Sequence, residues 1–152
     1  MKWILLQYEL PNEPSKYRVW LWRRLKKQSA YKLLDGLYCL PYTASSLERF
    51  NWISVEIEKM GGKAMLWASE ALLAGQEQEI IREKTQVTKK QYEILYDEII
   101  NMKKEEISIK QFDEFSKRWA DIKWHDTKGH PLGEEIRKLL TEIRILKRRN
   151  LK

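Results

Sequence analysis

The run from Trp3 to Leu10 is almost wholly apolar and rich in β-formers, which predicts a strand buried on both faces. Pro11 and Pro14 end it, because proline cannot continue a ladder and restricts the residue before it. Ser15 then sits where a helix N-cap belongs. The spacing predicts a helix over Lys16 to Gln28, with Tyr17, Leu21, Leu25 and Trp22 on one core-facing arc. Arg18 falls in the middle of that arc, either laying its stem along the core or pairing with Glu9 to fix the loop. The opposite arc carries Lys16, Arg23, Lys26 and Lys27 beside Val19 and Trp20.

Asp35-Gly36 between two apolar runs in Ala30 to Tyr42 predicts a hairpin with a type I′ turn. Pro41 ends its second strand, and alternation puts Cys39 on one face with Leu37 and Pro41, as a buried structural thiol. Ser45 with Glu48 reads as a capping box, followed by the stripe Leu47, Phe50, Ile53, Ile57 and Met60. Gly61-Gly62 supplies a left-handed stop, and Lys63 to Ala68 is a short strand. The order is strand, helix, two-strand hairpin, helix, strand. That predicts an α+β protein whose residues 1–73 form a ferredoxin-like βαββαβ domain. The first strand is then central, with Ile4, Leu6 and Tyr8 on one face and Trp3, Leu5, Gln7 and Glu9 on the other. Two helices cover one face, so the other needs cover from the rest of the chain or a second subunit.

Residues 74–152 read as a helical C-terminal extension packed on that domain. A long helix runs from about Glu77 to Lys104, and Ser108 with Gln111 is a second capping box before Phe112, Phe115, Trp119 and Ile122. Gly129-His130-Pro131 breaks the pattern, and a last helix places Ile136, Leu139, Leu140, Ile143 and Leu146 on one stripe. It closes on Arg144, Lys147, Arg148, Arg149 and Lys152, which offset a helix dipole or bind a polyanion.

Composition narrows the function. The chain has 152 residues, 43% hydrophobic and 34% charged, and its formal charge of +7 favours polyanionic partners. No apolar run is long enough to cross a bilayer, and the N-terminus has no small-residue cleavage site, so no membrane partner and no signal peptide are predicted. A single cysteine excludes an internal disulfide framework and agrees with a reducing cytoplasm. There is no glycine-rich phosphate loop, nucleophile elbow or zinc-type ligand spacing, and no cofactor is predicted. His125, Asp126 and His130 gather in WHDTKGH, which reads as a solvated, helix-breaking loop. Glu9, at the end of the central strand, is the one carboxylate placed where an enzyme of this fold would hold one.

The segments WILLQYELPNEPSKYRVWLWRRLKK, LLDGLYCLP and EIEKMGGKAMLW resemble the N-terminal domain of ChrB proteins, chromate-responsive regulators associated with bacterial chromate resistance. The resemblance covers Met1 to about Leu73; the remainder, with Tyr92 and PLGEEIRKLL, fits more loosely, and the chain looks like a free-standing N-terminal module. More distantly, the same order is similar to the middle domain of PaaX-type repressors and to small ferredoxin-like CRISPR adaptation nucleases. The latter carry a metal-binding aspartate where this chain has Glu9. The expectation is a non-enzymatic DNA-binding regulator, with a Glu9-dependent nuclease or a structural partner-binding protein as alternatives. Its nucleic-acid surface would be Lys16, Trp20, Arg23, Lys26 and Lys27, with Arg144, Lys147, Arg148 and Arg149 as a second patch. A small oxyanion such as chromate would suit Ser15 and Arg18, at the helix N-terminus. A homodimer would also cover the open sheet face.

Overall fold

The computed structural model describes residues 1–126 and 128–150. The fold is mixed α and β, dividing into one unit over Met1–Ile80 and another over Ile81–Lys152. The first unit holds β1 (Lys2–Glu9), α1 (Lys16–Lys27), β2 (Tyr31–Leu34), β3 (Leu37–Pro41), α2 (Ala44–Lys59) and β4 (Lys63–Glu70). The strands form one antiparallel sheet in the order β2-β3-β1-β4, so β1 is interior, as its unbroken apolar run requires.

Register sorts the two faces. Ile4 lies opposite Leu40 and Leu6 opposite Tyr38, and all four are buried towards the helices. Leu21 and Leu25 of α1, and Phe50, Ile53 and Ile57 of α2, complete this core, each fully buried side chain contributing about 1.5–3 kcal/mol. Leu47, expected on the α2 stripe, is instead exposed. On the other face Leu5 lies opposite Cys39 and Trp67, and Cys39 is buried. The first turns of α3 (Ala74–Ile100) reach one end of this face: Ile80 is buried, and the Trp3 indole N–H donates to Glu77 at 2.8 Å. Met65 and Trp67 remain half-exposed at the other end.

Local chemistry differs from expectation at two turns. The extended backbone of Thr43, not Ser45, starts α2, with its hydroxyl oxygen accepting from the Ser46 N–H at 2.9 Å. The reason lies one residue earlier, where the Tyr42 N–H donates to the Lys2 carbonyl at 2.9 Å and holds the chain to the sheet up to that point. The hairpin forms, but only Gly36 has positive φ (76°), so the turn is not type I′, which requires it at Asp35 too. The α2 stop is a Schellman motif: Gly61 has φ 85°, its N–H donates to Glu58, and the Gly62 N–H donates to Ile57 at 2.9 Å.

The second unit is helical. The rest of α3, α4 (Ile109–His125) and α5 (Pro131–Asn150) enclose a core of Tyr92, Leu95, Ile99, Ile107, Phe115, Ile122, Ile136, Leu140 and Ile143. The Ser108–Gln111 capping box opens α4 as expected. No helix among the described residues is long and apolar enough to cross a membrane.

Candidate functional site

Six of the twelve residues of α1 are cationic and none is acidic. Lys16, Arg23, Lys26 and Lys27 are exposed, and among the described residues no carboxylate pairs with any of them. The helix is rotated from the expected phase. Its buried side runs through Leu21, Leu25 and Gln28, which leaves Trp22 54% exposed and Arg18 in solvent. Trp20, expected on the open arc, is half-buried with its ring 5.8 Å from Trp52 of α2. The Arg24 guanidinium lies over both rings, 5.5 Å from Trp20 and 4.6 Å from Trp52. Packing of Trp20 and Arg24 on Trp52 fixes the phase that a simple apolar count misses. Trp22 is the exposed indole of this helix, with the Lys26 ammonium 4.8 Å above its ring.

The loop before α1 is arranged differently from the expected anion site. Ser15 has helical φ and ψ (−62°, −22°), and its side chain caps nothing. The N–H groups of Tyr17, Arg18 and Val19 are already engaged by the carbonyls of Pro14 and Ser15. Arg18 donates to the Asn12 side chain rather than pairing with Glu9. It lines a polar cleft of about 650 Å³ with Tyr8, Glu9, Lys32, Asp35 and Tyr38. Lys32 is held by Asp35 at 2.6 Å, and each stabilises the other's charged form; Arg18 is therefore the cation of the cleft least neutralised by a carboxylate. The Tyr8 hydroxyl is pushed up to about 12 by burial first, then by Tyr38 and Asp35, so it remains a hydrogen-bonding phenol at neutral pH. Among the described residues no three His, Cys, Asp or Glu side chains gather to hold a metal ion, and Glu9 has no such cluster around it.

In the second unit, Arg144, Arg148 and Arg149 are exposed and Lys147 is half-buried, with Arg144 over the Phe112 ring at 5.9 Å. Lys152 lies outside the described residues. The WHDTKGH stretch, expected as a solvated, helix-breaking loop, begins as helix: Trp124 and His125 close α4, His125 is buried, and Asp126 is the C-cap. Its carboxylate accepts from the Tyr92 hydroxyl at 3.0 Å and from the backbone N–H groups of Lys128, Gly129 and His130 at 3.2, 2.8 and 2.8 Å. This carboxylate is committed to joining helices.

Sequence reasoning does not single out Trp52 or Arg24, and it places Trp22 on the core-facing arc of α1. Trp52 lines a groove of about 660 Å³ along α2, together with Gln28, Arg49 and Asn51. The available signal was its place off the α2 apolar stripe, where a tryptophan must either be solvent-facing or meet another element. Comparison of the chain with protein-family models, curated proteins and solved structures finds no match.

Proposed function

We propose that the protein is a ChrB-like, non-enzymatic, DNA-binding regulatory module linked to chromate resistance. The sheet order β2-β3-β1-β4, with α1 and α2 as the two crossover helices, supports reading the first unit as ferredoxin-like. The observation that carries the DNA-binding reading is the α1 surface. Four exposed cations, without carboxylate partners among the described residues, sit on one helix of twelve residues that has no acid of its own. Such a face has more to gain from phosphates than from solvation by its own chain, because each contact releases a counterion from the nucleic acid.

Mobility shifts across a salt series test this. Arg23→Gln/Lys27→Gln is expected to weaken binding to every DNA sequence and to reduce the slope of log affinity against log salt by roughly two. An unchanged slope and affinity would mean that this face is only solvated.

Chromate enters this reading as an effector at the cleft that Arg18 lines, where the guanidinium can donate to oxyanion oxygens. Adding chromate is expected to change DNA binding by the wild-type chain and not by Arg18→Gln. An equal response in both proteins would remove Arg18 from the effector site.

A further inference from the structure

Trp52 is 45% exposed although the α1 side of its ring is taken by Arg24 at 4.6 Å and Trp20 at 5.8 Å. The rest of the ring forms a wall of the α2 groove, whose volume of about 660 Å³ is within the range of small-molecule sites, about 300–1,000 Å³. The groove offers more than an apolar surface. Arg49 and Gln28, joined by a 2.6 Å hydrogen bond, and the Asn51 amide supply donors and acceptors around the indole. Glu48 and Glu56 also line it, and Glu56 is paired with Lys59 at 3.3 Å. Carboxylates repel phosphate but accept from the N–H groups on base edges, the ring N–H of thymine included. Arg49 and Lys59 line it as well and balance the two carboxylates, whereas Lys16, Arg23 and Lys27 lie on the neighbouring helix, outside the groove.

A charge-balanced, hydrogen-bonding groove walled by an indole and lying beside a cationic helix describes a ligand that is flat, polar at its edges and attached to a polyanion. We propose that the Trp52 groove is a stacking site for an unpaired base of a single-stranded nucleic acid whose phosphates lie on the cations of α1. The ring presents a π-face that any base can cover, and Arg24 behind it holds the indole in place. In a duplex the bases are stacked on one another and cannot enter, so the groove favours single strands or melted segments. The proposal rests on the nucleic-acid reading of α1 and extends it from phosphate contact to base contact.

The test uses the full chain, a single-stranded thymidine oligomer and a duplex of matched length at several salt concentrations. The wild type is expected to bind the single strand more tightly than the duplex. Trp52→Leu keeps an apolar side chain but no ring, and is expected to lower single-strand affinity by about 5- to 150-fold and duplex affinity by much less. Trp52→Phe keeps a ring and is expected to retain most of the affinity. Equal single-strand binding by wild type, Trp52→Leu and Trp52→Phe would overturn the stacking site. Duplex binding that still depends on Arg23 and Lys27 would, in that case, leave the regulatory reading standing. If the chain binds neither probe, both readings fall.

Discussion

Gly62→Ala is expected to destabilise the first unit by about 3 kcal/mol or more, a large part of the roughly 5–15 kcal/mol that holds a protein of this kind folded. A Cβ at this position would stand 2.4 Å from the Glu9 carbonyl oxygen, 2.9 Å from Ile57 Cγ2 and 3.0 Å from Leu10 Cδ2. The first of these is backbone at the end of the central strand, and it cannot swing aside as a flexible side chain would. Relief would require moving β1 or β4, and the two strands are paired from Lys2–Glu70 to Glu9–Lys63. Gly61 provides the internal comparison. Its φ of 85° suits glycine, yet the nearest atom to an added Cβ is Pro11 Cγ at 3.9 Å. Gly61→Ala is therefore expected to cost only about 1–2 kcal/mol, the penalty of a left-handed non-glycine residue. Urea denaturation of both variants, followed by tryptophan fluorescence, checks the ranking. If Gly62→Ala costs no more than Gly61→Ala, the approach of β1 to this turn is looser than described.

The Gly-Gly stop was legible because its chemistry is local: a left-handed residue must follow the last helical turn, and glycine has no Cβ to oppose it. The Ser108–Gln111 box and the alternation along β1 and β3 were legible for the same reason. What the sequence misread depends on partners distant in the chain. Ser45 and Thr43 are both capable caps, and the choice falls to Thr43 because the Lys2 carbonyl, far back in β1, holds Tyr42 extended. Trp20 and Trp22 are two residues apart on one helix, and periodicity assigned each to the wrong side. The deciding contact is Trp52, and nothing within α1 announces it. For the candidate site, the basic arc of α1 could be read from helical spacing, since Lys16, Arg23 and Lys27 share a face in any phase. The groove beside Trp52 could not, because only the folded chain brings Gln28, at the end of α1, against its α2 wall. Arg18 shows the same limit. Its alternatives were the core and Glu9, whereas the folded loop brings it Asn12.

In the second unit, Gly133→Ala is expected to destabilise even though alanine is intrinsically about 1 kcal/mol better than glycine inside a helix. Gly133 lies in the first turn of α5, and a Cβ there would meet Tyr92 at 2.9 Å from the hydroxyl oxygen and 3.0 Å from Cζ. Tyr92 cannot easily retreat. It is buried among the helices, and its hydroxyl donates to Asp126, which raises its pKa further beyond what burial alone does. The Gly133 carbonyl is held as well, accepting from the Trp119 indole at 2.9 Å. The overpacking term of about 1–3 kcal/mol should outweigh the propensity gain. Tyr92→Phe alone is expected to cost about 1–2 kcal/mol, because it removes one donor from the Asp126 carboxylate. The two changes should not add. Without the hydroxyl, the nearest atom to the new methyl is gone and the ring is free to tilt, so Gly133→Ala/Tyr92→Phe should be more stable than the sum of single losses by about 0.5 kcal/mol or more. Denaturation of the four proteins of this cycle measures that coupling. Strict additivity would show that the methyl is accommodated by a shift of α5 and not by Tyr92.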